Sequence, residues 1–465
     1  MKHQRASELE VAKIIQGMPP DAFLPQYVDY AGWATDAHLA YHVGVGLALL
    51  SQTVPLSYGL QFKRTKPSLY VMLVGRSRLA RKSHAITLGQ QILWRILPDV
   101  GLKTPASDAF VYKHLAETPR DIFFYGEFAN FLQQAEHGPM RAIQTMYMQA
   151  FDGQPIGRWI VGAKKSGKYR SDRSLLILNP RLSLLAGCAT GYLTEATTIH
   201  DWTEGFYPRF LTLYYDPARH YAHARTDDAA EGRLANLLGD RAAKADADAM
   251  PCVGYDALAD VTWERWEKAT HDQAMAETRR VPSAVIAGAA SVADRVAALL
   301  AWDFGAGRVA NATASSAAPP WATTAGASWT LGIGALTSAL SIVDLHLESV
   351  LRLTERIGLS PEGKELELVN DLIGPEPRSY TEILARSKLQ QFRFDRIVVT
   401  LRSRGSIVVT PPLNGVDQML MRKPETPIPQ NVIPFPRQMA SAPSSYQAVP
   451  SIDEAEMFAR YPDDD

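Results

Sequence analysis

Cysteine is nearly absent from this chain of 465 residues: Cys188 and Cys252 stand far apart, without metal-ligand spacing. A disulfide framework is excluded, a zinc site is disfavoured, and a reducing compartment fits. Charge of one sign is lacking as well. With 48 Lys and Arg against 49 Asp and Glu, any contact with nucleic acid must come from local patches. No uncharged run approaches the ~18 residues needed to span a bilayer. The N-terminal MKHQRASELEVAKII is charged and amphipathic rather than signal-like. A cytoplasmic location and no membrane partner are therefore expected. The 11 histidines are dispersed, and the i, i+4 pair His38 and His42 reads as a helix-surface pair, since no carboxylate or histidine company for a metal is evident nearby.

What is present is a sizeable apolar fraction, 46%, enough for the cores of two or three domains. Residues 1–66 read as a helical region whose AHLAYHVGVGLALLSQ segment is strongly apolar, with small residues that allow close packing. Residues 67–217 alternate apolar runs with helical patterns. The runs LYVMLV, DIFFYG, GRWIVG, SLLILN, LSLLAG and FLTLYY predict an α/β core with a mostly parallel sheet. Residues 218–374 turn to charged, alanine-rich helix, interrupted by a low-complexity stretch over 305–327 that reads as a flexible insertion. Residues 375–415 read as a winged helix: a helix with Ile383 and Leu384, then a helix presenting Phe394, Ile397, Val398 and Leu401 on one face, then a short hairpin from Arg404-Gly405. Residues 416–465, rich in Pro and Ser and ending in acid, read as a disordered tail. Its Val432-Ile433-Pro434-Phe435 knot and the turn before Tyr461-Pro462 are either docking motifs for a protein partner or plain solvated chain.

The segment that carries chemistry is Leu69–Leu97, LYVMLVGRSRLARKSHAITLGQQILWRIL, where a buried strand enters a turn ending Arg81-Lys82-Ser83 and then an amphipathic helix. A P-loop belongs in such a place. Backbone N–H groups and the helix N-terminus cradle phosphates, a lysine reaches the terminal phosphates, and a hydroxyl holds Mg²⁺. Lys82 and Ser83 fit the last two roles, with Gly75, Arg76, Ser77 and Arg81 as the cradle for ATP. The pattern G-x-x-x-x-G-K-[ST] would place glycines at 76 and 81, where this chain has Arg76 and Arg81, so the loop is one residue longer or differently wound. The alternative is a basic strand-to-helix turn without a ligand.

A second string, Gly162 to Lys168 (GAKKSGK), has better P-loop spacing but is followed by Tyr169 and another apolar strand instead of a helix. It reads as a basic β-hairpin tip. Lys164, Lys165, Lys168, Arg170 and Arg173 suit either a nucleic-acid backbone or simple solvation. Arg386, Lys388, Arg393 and Arg396, with Arg402 and Arg404, make the winged-helix segment basic, so it serves either DNA contact or protein docking.

The remainder of an ATPase site is sought at the ends of later strands. In DIFFYGE, Glu127 takes the place of a water-activating carboxylate while Gly126 replaces the metal-holding aspartate; Asp152 in FDGQ is a substitute without a geometric warrant. Thr190, after LSLLAGCA, is the candidate γ-phosphate sensor. Arg209, just before FLTLYY, is either an arginine finger, in its own or a neighbouring subunit, or one half of a structural ion pair.

The strings FLPQYVDYAGWATDAHLAYHVGVGLALLS, PSLYVMLVGRSRLARKS, FFYGEFANFL, LNPRLSLLAG and EGFYPRFL, in this order over about residues 24–215, resemble an uncharacterised helicase-like P-loop ATPase family found beside primases in phages, plasmids and integrated elements. The resemblance implies a RecA-like ATPase core that assembles into a ring and acts on DNA, in replication or in anti-phage defence. The chain departs from the family loop GxSGxGKS at Arg78, Ala80 and Arg81 and by one added residue, and it lacks the aspartate at 126. These departures set two readings beside each other: an ATP-dependent motor, and a non-hydrolysing scaffold or regulator.

Overall fold

The structure, a computed structural model, describes residues 2–422 apart from 57, 61–64, 102–104, 106, 136–141, 161–163, 166–167, 170–172, 198, 204, 216–224, 248–253, 306–329, 355–360, 374–377, 404–405 and 411–419. The expected insertion over 305–327, except Gly305, and the expected disordered tail over 416–465, except Leu420–Arg422, which form a strand instead, lie outside the described residues, as do Cys252, Arg170 and Arg404. The chain forms two units, residues 1–360 and 361–465.

In the first unit, helices α1 (Lys2–Gln16), α2 (Phe23–Ala34) and α3 (Leu39–Leu50) lead into strand β1 (Tyr70–Gly75). Then come α4 (Lys82–Trp94), α5 (Asp108–Glu117), β2 (Arg120–Tyr125), α6 (Phe128–Ala135) and α7 (Ile143–Phe151). An arm follows, built from β3 (Ile156–Ile160), β4 (Lys164–Lys165), β5 (Lys168–Tyr169) and β6 (Arg173–Ile177). The chain returns through β7 (Arg181–Ala189), α8 (Thr190–Ala196) and α9 (Ile199–Thr203) to β8 (Phe210–Tyr214).

Strands β2, β7, β1 and β8 lie side by side in that order, all parallel. β1 and β7 are buried at every residue, as strands covered on both faces must be. The α/β class and the mostly parallel sheet are as expected, and the order is compatible with a Rossmann- or RecA-like core. Two of the six apolar runs, GRWIVG and SLLILN, do otherwise: they form β3 and β6, which pair antiparallel with each other outside the sheet. Lys164 and Lys165 continue the arm in a two-residue ladder with Tyr169 and Lys168, so the GAKKSGK string does not open a helix.

Each face of the sheet is closed by a different chemistry. On the face of Val71 and Leu73, α3 approaches so closely that a Cβ on Gly44 would stand 2.8 Å from Leu213 Cδ1 and 2.9 Å from Val71 Cγ1. Helix α4 lies on the same side, with Gly89 so near Val45 that an added Cβ would be 2.3 Å from its Cγ1. On the opposite face aromatics do the packing: the Tyr70 ring meets Tyr147, Phe151 and Phe210 at centroid distances of 6.4, 5.0 and 5.3 Å. Such pairs contribute about 0.5–1.5 kcal/mol each beyond the area they bury.

The rest of the described residues in the first unit are mostly helical, α10 (Asp228–Ala247), α11 (Ala257–Ala276), α12 (Arg280–Asp303) and α13 (Ile333–Thr354), with one short parallel pairing of Gly254–Tyr255 and Thr330–Leu331. Helices α12 and α13 are long and apolar enough to cross a bilayer, yet 72% and 56% of their apolar windows are buried within the protein. Helix α13 guards the β8 edge, where Thr212 N donates to His346 Nδ1 at 2.9 Å. The fully buried carboxylate of Asp303 ends α12 and fixes α2: it accepts from Phe23 N and Leu24 N at 2.8 Å each and pairs with Arg241 Nε at 2.7 Å.

The expected histidine pair on a helix surface is corrected. His38 precedes α3 and caps it, its Nδ1 accepting from Ala40 N at 3.2 Å, while His42 Nε2 is 2.8 Å from Thr35 Oγ1, and both rings are buried. No group of three or more metal-ligating side chains occurs among the described residues.

The second unit contains α14 (Pro361–Leu372), α15 (Tyr380–Ser387) and α16 (Gln391–Ser403) with an antiparallel sheet of the short segments Arg378–Ser379, Leu420–Arg422 and Val408–Thr410, in that order. Phe394, Ile397, Val398 and Leu401 form its core with Ile383, Val369 and Ile373. Because Val369 belongs to this core, α14 is part of the second unit, whereas the sequence boundary at 374/375 assigned it to the preceding helical region.

Candidate nucleotide-binding site

The carboxyl ends of parallel strands are where an open α/β sheet presents its loops to ligands. Here Gly75 closes β1 in register with Ala189 of β7, and Tyr214 of β8 pairs with Val74 on the other side. Only glycine fits at 75: an added Cβ would lie 2.5 Å from Tyr215 O, 2.6 Å from Ala80 Cβ and 2.6 Å from Tyr41 Oη. Tyr41 Oη donates toward Val74 O at 2.6 Å and Tyr215 O at 2.8 Å, tying α3 to the strand ends from which the loop departs.

The loop from Arg76 to Arg81 leaves that point and enters α4 at Lys82. Arg76, Ser77, Arg78 and Leu79 are exposed, and Ala80 is buried. Arg78 and Arg81 both have left-handed backbones, φ 63° and 50°. Glycine adopts this conformation freely, whereas another L-residue pays roughly 1–2 kcal/mol for it. The arginines therefore keep a glycine-like winding at two of the three positions where the chain departs from GxSGxGKS. Arg81 is further held by Asp36 from the α2–α3 turn, Nε to Oδ2 at 2.9 Å, and His84 Nδ1 lies 3.7 Å from the other carboxylate oxygen. Lys82 is 7% exposed and its ammonium folds back on the loop, donating to Gly75 O at 2.8 Å. Ser83, next along the helix, is exposed.

Two further residues named from the sequence stand at the same edge of the sheet. Glu127 follows β2, and its Oε1 accepts from Ala189 N at 3.2 Å. Thr190, the residue after Ala189, is 6% exposed, and its hydroxyl has no hydrogen-bond partner. The thiol of Cys188 reports the local field: burial pushes its pKa up, the Glu127 carboxylate adds to that, and Lys82 opposes it. Lys82 and Glu127 thus act on one buried atom from the two sides of β7.

Among the described residues, the donor set offers a protein-held Mg²⁺ little beyond the Ser83 hydroxyl. Ser83 can offer a hydroxyl, but at Gly126 there is no side chain, and a Cβ there would meet nothing within 4 Å. Asp36 is engaged with Arg81. Asp152, the substitute weighed from sequence, is elsewhere: it makes a bidentate pair with Arg209, Nε to Oδ1 at 3.1 Å and Nη2 to Oδ2 at 2.8 Å.

Arg209 itself precedes Phe210, which pairs with Tyr70 at the amino end of β1. That is five residues from Gly75, about 17 Å at the usual rise of a strand. Arg209 and Asp152 therefore form an ion pair at the opposite edge of the sheet, and Arg209 does not complete the site of its own chain. Asp36, Tyr41 and Arg78 join the site without having been assigned to it from sequence. The only signal was that Arg78 stands where the resembled family has glycine.

The cations expected to meet nucleic acid lie on two separate elements. Lys164, Lys165 and Lys168 are on the β4–β5 ladder and Arg173 begins β6. In the second unit, Arg386 pairs with Glu382 at 2.9 Å and Arg393 with Glu365 at 2.8 Å, and Lys388 ends α15 with φ 55°. Arg396 is exposed on α16, in line with Phe392 and Val399, each 66% exposed. No family model and no curated protein matches this chain.

Proposed function

We propose that the turn from Gly75 to Ser83 binds the phosphates of ATP and that the protein is a nucleotide-dependent DNA-binding protein with a helicase-like P-loop core. The observation that carries this reading is the position of Lys82: it opens a helix of 13 residues directly after a central parallel strand, with the carboxylate of Glu127 and the unpartnered hydroxyl of Thr190 at the same sheet edge. In this reading the loop N–H groups and α4 hold the phosphates, Lys82 exchanges its bond to Gly75 O for a phosphate oxygen, and Thr190 senses the terminal phosphate. The basic arm and the second unit, read as a winged helix, supply the DNA contacts.

The departures favour binding over rapid turnover. Position 126 has no carboxylate, and Arg81 is tied to Asp36 in a left-handed turn. A second reading, an ATP-driven motor that works as a ring, is favoured by Glu127, a carboxylate at the same sheet end as Lys82 and of the residue type that activates water in such sites. In such an assembly Arg209 would serve only a neighbouring subunit. ATP hydrolysis by purified protein, with and without single-stranded and duplex DNA, separates the two. The binding reading expects DNA affinity that changes with nucleotide and little turnover. DNA-stimulated hydrolysis that disappears in Glu127→Gln would establish the motor.

A further inference from the structure

We infer that this loop takes a nucleoside triphosphate free of divalent metal, its arginines supplying the positive charge that Mg²⁺ provides at other phosphate-binding loops. The inference rests on the nucleotide-site reading above and specifies the form of the ligand. A polyphosphate with several negative charges needs neutralisation from somewhere. Between Arg76 and Lys82 the chain places four cations, Arg76, Arg78, Arg81 and Lys82, and no acid, with the Asp36 carboxylate from the α2–α3 turn offsetting Arg81 alone. Arg76 and Arg78 are exposed at the loop surface.

A guanidinium matches phosphate geometry with two parallel donors and stays charged at any working pH, so it neutralises phosphate oxygens without a carboxylate to hold it in place. Among the described residues, the acids named for this sheet end are each engaged, and position 126 has none. Gly126 offers open space, Asp36 is bound by Arg81, Asp152 is bound by Arg209 at the far edge of the sheet, and Glu127 accepts from Ala189 N. The left-handed turns at Arg78 and Arg81 direct the chain as glycines would while adding guanidinium groups that glycine lacks, the one at Arg78 exposed and the one at Arg81 shared with Asp36.

The test is a titration of the full-length protein with a fluorescent ATP analogue, in excess EDTA and in excess Mg²⁺, for the wild type, Arg78→Ala, Lys82→Met and Gly126→Asp. The expected result is saturable binding in EDTA, within about threefold of that in Mg²⁺, weakened about tenfold in Arg78→Ala and lost in Lys82→Met. Gly126→Asp, which enters open space, is expected to weaken binding in EDTA and recover it in Mg²⁺. Wild-type binding that depends on Mg²⁺ and is lost in Lys82→Met would overturn the inference while leaving the nucleotide site intact. Absence of binding under both conditions would overturn the inference together with the site.

Discussion

Arg81 donates from Nε to Asp36 Oδ2 at 2.9 Å while its own backbone is held at φ 50°, so a contact between residues 45 apart in sequence fixes the last turn before Lys82. The Asp36 side chain is 8% exposed and Arg81 36%. The pair is therefore screened on one side only, and a double-mutant cycle read by urea unfolding should give a coupling of about 0.5–1 kcal/mol. Its consequence for the ligand is opposite in sign. Asp36→Asn removes an anion near the loop and releases a guanidinium, so affinity for ATP in EDTA should rise about fivefold, the effect of roughly 1 kcal/mol of charge interaction. An unchanged or reduced affinity would show that Arg81 acts only as a strut.

The glycines of the core and of the site should respond differently to alanine. Gly89→Ala places a Cβ 2.3 Å from Val45 Cγ1 at the α3–α4 contact, and overpacking of this kind costs about 1–3 kcal/mol, with up to ~1 kcal/mol returned by helix propensity. Gly126→Ala meets nothing within 4 Å and should stay within about 0.5 kcal/mol of the wild type. Thermal and urea unfolding of both variants checks the contrast.

Acid should destabilise the first unit through its histidines. Burial lowers His38 and His42 to about 3 and His346 to about 4, with Arg352 and His42 contributing at His38. The folded rings stay neutral while the unfolded chain takes up protons below about 6.5, so stability is fully present above that pH and falls as pH drops toward 4. Each histidine contributes a slope of about 1.4 kcal/mol per pH unit in that window. His346→Asn, which can still accept from Thr212 N, should flatten the slope by about a third. Urea unfolding at several pH values between 6.5 and 4.5 measures it.

DNA affinity should be dominated by phosphate contacts and fall steeply with salt. Replacing Lys164, Lys165, Lys168 and Arg173 together by alanine should reduce the log–log salt slope by about 3–4, close to one for each phosphate that a cation neutralises. Arg396→Ala in the second unit should reduce it by about one. If the slope is untouched by either change while binding of a protein partner is lost, α16 is a docking helix, a use its exposed Phe392 and Val399 would serve.

Much of the core was legible because strands covered on both faces read as unbroken apolar runs: LYVMLV, DIFFYG, LSLLAG and FLTLYY became the parallel sheet. GRWIVG and SLLILN have the same appearance, but an apolar run does not name its partner, and these two found each other. The histidine pair was misplaced because i, i+4 spacing shows that two side chains share a helix face and not that the face is wet. The better signal was that LAYHVGVGLALL contains no acid, Lys or Arg, which marks a helix buried all round. In the site, the strand–loop–helix with Lys82 could be read locally. Asp36, Tyr41 and the placing of Asp152 and Arg209 at the far edge could not, since each depends on which segments the sheet brings to one of its two ends.

The central claim is that Lys82 reaches a nucleotide phosphate, and the most direct measurement is equilibrium binding of ATP by calorimetry to the wild type and to Lys82→Met, which keeps a packed stem and removes the charge. The account predicts one saturable site per chain in the wild type and a loss of at least about tenfold in affinity in the variant, with unfolding temperatures alike. Equal binding by both proteins, or no heat of binding in the wild type at any workable concentration, would contradict it.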